Sequence, residues 1–184
     1  MSKRIRKRQY KKLHRHYISE RQAFSLFSYQ AQYIADGLRT FIRMERHSTG
    51  PSSVFTHFCK KHGVSSDGSG YEKNPEAFGA AEKEAIEYWE DILKRMYYAF
   101  DQIANDFPDS PHAVWFDKAY EEHVAAGKPT IIDKTVKNKD GTYTTNELDL
   151  PETPESVWEA EKEYARKINQ GTRLYGKYFL DLWD

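Results

Sequence analysis

Three arginines raise the first chemical question. Arg39, Arg43 and Arg46 follow one another at four- and three-residue steps, so on a helix they project from neighbouring positions on one side. His47, Ser48, Thr49 and Gly50 come directly after them, then Ser52 and Ser53 behind Pro51. A helix opening there offers unpaired backbone N–H groups and the positive end of its dipole, and guanidinium groups beside it can pair with a phosphate or carboxylate. Arg39, Arg43, Arg46, His47, Ser52 and Ser53 are therefore the candidate anion-binding set. The arginines would neutralise charge, and the two serines would supply hydroxyl and N-cap contacts. The competing account is a solvated helix face beside an ordinary loop.

A second cationic feature opens the chain. Residues 1–16 contain Lys3, Arg4, Arg6, Lys7, Arg8, Lys11, Lys12 and Arg15 and no acid, which makes a basic arm of formal charge +8. The whole chain has 28 basic and 28 acidic residues, so the rest holds 20 bases against 28 acids and is formally −8. Cations interleaved with Tyr10, His14, His16 and Tyr17 could neutralise a nucleic-acid backbone and stack on bases. They could equally dock on the acidic body of the same or a neighbouring chain, which would favour a homo-oligomer. No zinc-finger or RNA-recognition signature accompanies the arm.

Catalytic and metal chemistry have weaker sequence support. His57, Cys59 and His62 stand two and three residues apart, so on a regular helix they point in different directions, and no second cysteine completes a familiar metal site. Residues 63–70 are glycine-rich but lack the Gly-Lys-Ser/Thr ending of a phosphate-binding loop. The acidic pairs Glu82 with Glu84, Glu121 with Glu122 and Glu159 with Glu161 fall in charge-rich helical stretches where solvation is the ordinary explanation. We expect no catalytic residues, no metal and no cofactor. The protein is expected to act by binding rather than as an enzyme.

The elements that must position these residues follow from apolar periodicity. Phe24, Phe27, Ala31, Ile34, Leu38 and Phe41 recur at helical spacing and predict a long helix over 20–46. A short helix is expected over 54–61, then a flexible polar loop over 63–75. Ile86, Trp89, Leu93, Met96, Phe100, Ile103 and Phe107 form the clearest stripe, closed by Pro108. Pro111 is placed to open another helix that stops near Gly127. Between Thr130 and Leu150 the pattern turns β-branched and alternating around Lys139-Asp140-Gly141, which predicts a β-hairpin. Val157, Glu161, Tyr164, Ile168, Gly171, Tyr175, Tyr178 and Leu182 mark the face of a third long helix, with Gly171 allowing close packing. The fold class is mainly α: a bundle of three long amphipathic helices plus shorter helices and one β-hairpin. Its expected organisation is an arm over 1–16 and one helical domain over 17–184.

Two segments resemble small proteins encoded by tailed bacteriophages. One is Trp89–Phe100, W-x-x-x-L-x-x-M-x-x-A-F; the other is Gly171–Trp183, G-x-x-L-Y-x-K-Y-F-x-x-L-W. Both are aromatic packing patterns, and neither includes the arm or the expected hairpin. The resemblance implies action in the cytoplasm of an infected bacterium, as an accessory protein that blocks a host defence factor or sequesters a nucleotide signal. Short apolar stretches interrupted by charge argue against a membrane role, and a lone cysteine, Cys59, fits a reducing cytoplasm. The expected partners are a phosphorylated small molecule or a host protein. Nucleic acid bound through the arm is the first alternative, and a phage structural or assembly role the second.

Overall fold

The computed structural model describes residues 25–44, 48–128, 136–137, 139, 143–144 and 150–182. Six α-helices lie among them, and the chain is mainly helical. The first long apolar stripe forms α1, Leu26–Met44, which buries Ala31, Ala35 and Leu38. Two short helices follow, α2 over Ser52–Lys61 and α3 over Gly68–Lys73. The longest, α4, spans Pro75–Ala104; Asn74 caps it by accepting the Ala77 N–H at 3.1 Å, and Pro75 occupies its first turn. Helix α5 is Pro111–Ala125, and α6 is Glu155–Tyr178, continued by a 3₁₀ turn over Leu180–Leu182.

Helix α4 is the axis of the fold. It packs against α1, α2, α3 and α6, while α5 leans on α6. Trp89, Leu93 and Met96, all members of the predicted stripe, are essentially fully buried. They meet Leu38 of α1, Val54 of α2 and Tyr178 of α6 in one apolar cluster. A smaller cluster joins Ala99 to Tyr164 and Ile168, with Tyr98, Ile103 and Phe107 packed around it. Burying such side chains contributes ~1.5–3 kcal/mol each, which is why the stripes rather than the charges decide the arrangement. On α6 the buried residues Tyr164, Ile168, Gly171 and Tyr178 all belong to the predicted face.

Two local expectations are corrected, and a third is shown only in part. The polar segment over 63–75 is not simply a loop, because α3 forms within it. Asp67 accepts hydrogen bonds from the Ser69 N–H at 3.0 Å and hydroxyl at 2.6 Å, while the Tyr71 ring meets Phe78 edge-on at 5.8 Å. Helix α4 ends at Ala104, short of Phe107. Asp106 and Phe107 adopt φ of 60° and 58°, and the Phe107 N–H returns to the Gln102 carbonyl at 2.8 Å. That is the bonding of a left-handed helix stop, made here without glycine and held by packing of the Phe107 ring. Finally, the described part of the segment around 130–150 shows only a two-residue antiparallel pairing of β1, Val136–Lys137, with β2, Tyr143–Thr144. The rest of that segment lies outside the described residues, so the helices define the architecture.

Candidate functional site

The expected anion set is not assembled as one site among the described residues. Arg39 turns from α1 toward α4: it donates to the Tyr97 hydroxyl at 2.7 Å, and Tyr97 in turn donates to Asp101 at 3.1 Å. Its guanidinium also lies 3.7 Å from Asp101 and 3.9 Å from Asp36. Held first by the Tyr97 hydroxyl, its pKa rises above the ordinary value. Arg39 thus ties two helices together with its charge already answered. Arg43 is exposed and makes no ion pair among the described residues. Arg46 and His47 lie outside the described residues, as does the whole basic arm.

Ser52 and Ser53 do sit at the start of α2, in an open depression of about 380 Å³ shared with Thr56, His57 and Lys60. No arginine among the described residues lines it. The cap position falls on Pro51 rather than on either serine, and no side chain caps the helix. The reason is local: proline presets the backbone, and its carbonyl accepts the Val54 N–H at 2.8 Å.

The charge that faces one concavity comes from elsewhere. Lys94, Arg95 and Tyr98 of α4 and Arg166, Lys167 and Gln170 of α6 line a groove of about 500 Å³. Two adjacent cations on each helix make its edges basic. Lys94 is 3.1 Å from Glu90, Arg95 is 2.6 Å from Asp91, and Arg166 binds Glu163 through two nitrogens at 2.7 Å each. The Arg166 hydrogen bond holds the Glu163 carboxyl below its usual range and raises the guanidinium in return. Lys167 makes no ion pair among the described residues. Burial pushes the Tyr98 phenol upward, with Asp109 adding to the effect, so it remains a neutral donor with a partly accessible ring.

Close approach of the helices builds this groove. Gly171 of α6 rests on α4 so tightly that an added Cβ would collide with the Arg95 carbonyl and the Ala99 side chain. The smallest residue at that crossing brings the two cationic pairs onto one concavity. Gly171 was readable as a close-packing position. The groove was not, because Lys94-Arg95 and Arg166-Lys167 are far apart in sequence and each dipeptide alone resembles any solvated helix face. A separate groove of about 460 Å³, lined by Tyr33, Phe41, Met44, Tyr175 and Leu182 among others, is largely apolar and gives an anion no comparable charge.

The remaining titratable candidates are buried, structurally partnered or solvent-exposed. Cys59 is buried, and desolvation raises its thiol pKa, opposing the thiolate a nucleophile needs. Glu84 receives Lys61 at 2.5 Å and lies 3.1 Å from His62 Nε2. Glu161 accepts from the Ser110 hydroxyl at 2.8 Å and the His112 N–H at 3.1 Å, bracing the start of α5. Glu82, Glu121, Glu122 and Glu159 are exposed. No group of three His, Cys, Asp or Glu side chains suited to a metal ion occurs among the described residues, and no helix of the described chain is long and apolar enough to cross a membrane. No protein-family model, no curated protein and no solved structure matches the chain.

Proposed function

We propose that the protein is a non-catalytic phage accessory protein that captures a phosphorylated small molecule, of the nucleotide-signal class, in the groove between α4 and α6. The observation that carries this reading is the convergence of Lys94, Arg95, Arg166 and Lys167 on one concavity with a tyrosine ring and the Gln170 amide. Exposed ion pairs one helical turn apart contribute little, so Lys94 and Arg95 can exchange their carboxylates for a phosphate at small cost, and Lys167 has no ion pair to give up among the described residues. Charge-assisted hydrogen bonds to phosphate are stronger than neutral ones, and a guanidinium offers two donors in a fixed plane. Tyr98 and Gln170 would address a base or sugar.

The test is isothermal titration of the full chain with inorganic pyrophosphate, ATP and a cyclic dinucleotide. We expect at least one to bind, and Arg95→Ala and Lys167→Ala each to weaken that binding by about tenfold or more, since a charge-assisted hydrogen bond contributes ~1.5–3 kcal/mol. Arg43→Ala should leave affinity unchanged. Absence of binding by all three probes at about 1 mM, where any binding worth more than ~4 kcal/mol would register, would overturn the reading. So would unchanged affinity in both groove variants.

A further inference from the structure

The opposite end of α6 carries a different surface. Trp158 of α6 stacks on His112 of α5 at 4.7 Å and 22°. His112 is followed by Phe116 at 6.5 Å and 27°, and Phe116 by Tyr120 at 6.4 Å and 10°. Four rings thus form a near-parallel ladder across two helices. It is not core: Trp158 is 41% exposed and Phe116 and Tyr120 are each 39% exposed. His112, Phe116, Tyr120 and Val124 recur every four residues, and Val124 is also exposed, so α5 turns an apolar stripe outward where a helix normally turns it in.

Charge around the ladder is one-sided. Helix α5 and the stretch of α6 through Glu163 carry seven carboxylates against two lysines, Lys118 and Lys162. Those lysines are already 3.9 Å from Glu122 and 3.7 Å from Glu155. Asp117 and Glu121 follow ladder residues directly on α5, and Glu155 and Glu159 flank Trp158 on α6. Flat π-faces bordered by carboxylates favour guanidinium and ammonium groups, which gain from ring faces and from the surrounding anions together.

We propose that this acidic aromatic face docks the chain's own basic arm, residues 1–16. Charge complementarity identifies the occupant, since the arm has four arginines and four lysines with no acid. Arginines would lie over the Trp158, Phe116 and Tyr120 rings, and lysines would meet Asp117, Glu121, Glu155 and Glu159. Covalent attachment in one chain raises the arm's effective concentration into the range where weak contacts hold. This surface is separate from the α4–α6 groove and does not depend on what that groove binds.

Zero-length carbodiimide cross-linking of the full chain, read by mass spectrometry, tests the assignment. Cross-links from Lys3, Lys7, Lys11 or Lys12 should concentrate on Asp117, Glu121, Glu155 and Glu159. They should fall several-fold at about 1 M salt, where screening shortens to ~3 Å. The double substitution Phe116→Ser with Trp158→Ser should reduce them by about fivefold or more as the cation–π contacts are lost, while circular dichroism reports an unchanged helical fold. If the arm instead reacts equally with α1 and α4 carboxylates such as Asp36, Glu82 and Glu87, the proposal is overturned. Cross-links that persist undiminished in the double variant overturn it as well.

Discussion

Among single residues, two glycines of opposite character show how much the fold depends on local geometry. Gly50 has φ of +72°, and a Cβ there would stand 2.5 Å from Trp89 Cγ. It therefore meets a backbone penalty of ~1–2 kcal/mol and an overpacking penalty of ~1–3 kcal/mol against a ring that is 1% exposed. Gly37 lies within α1 with nothing within 4 Å of its added Cβ. Replacing it relieves the entropy cost of a glycine in a helix, ~0.5–1 kcal/mol. Urea denaturation should then show Gly50→Ala losing about 2–4 kcal/mol and Gly37→Ala gaining about 0.5–1 kcal/mol. Equal effects would mean that Trp89 does not sit under the loop as described. The helix expected over 20–46 runs through Gly37 and Gly50 falls between helices, but the penalty at Gly50 depends on Trp89, which arrives from α4 and cannot be inferred from neighbours in the chain.

Between elements, a buried polar network sets how α4, α5 and α6 meet. The Tyr164 hydroxyl donates to Gln102 Oε1 at 2.7 Å, Gln102 Nε2 donates to Asp109 at 2.8 Å, and the Asp109 N–H returns to Gln102 Oε1 at 3.2 Å. Burial, with Tyr98 and acidic neighbours adding to it, pushes the Tyr164 phenol up to about 12. A folded-state pKa above the unfolded value of ~10 means the contribution is complete below pH ~10 and is lost as pH rises toward 12. We expect Tyr164→Phe to cost ~1–2 kcal/mol at neutral pH, because Gln102 loses a buried donor. The variant should also show a shallower loss of stability between pH 10 and 12, followed by chemical denaturation at each pH. An identical alkaline slope in the two proteins would remove Tyr164 as its source. The helical faces of α4 and α6 were legible because burial repeats at three and four residues. Gln102 was not, since a glutamine one step off an apolar stripe looks like surface until its partners from the loop and from α6 are in place.

The whole molecule turns on one crossing, where α6 meets α4 at Gly171 and the two long helices align both apolar clusters and the basic groove. Trp89 meets Tyr178 edge-on at 5.2 Å and Phe100 meets Tyr175 at 4.8 Å, so aromatic contacts fix the register on one side of the crossing. A methyl group at Gly171 would strike both the Arg95 carbonyl and the Ala99 Cβ, and those aromatic pairs resist the separation needed to admit it. Gly171→Ala is therefore expected to cost about 2–4 kcal/mol, as overpacking of a close backbone contact does. Ala99→Gly alone should cost ~1 kcal/mol through helix propensity. In the double variant the Ala99 methyl is gone while the Arg95 carbonyl remains, so the combined loss should fall short of the sum by ~0.5–1.5 kcal/mol. A double-mutant cycle in urea measures that coupling directly. Strict additivity would mean that the Ala99 methyl takes no part in the clash, leaving the Arg95 carbonyl to hold the two halves of the basic groove at their spacing.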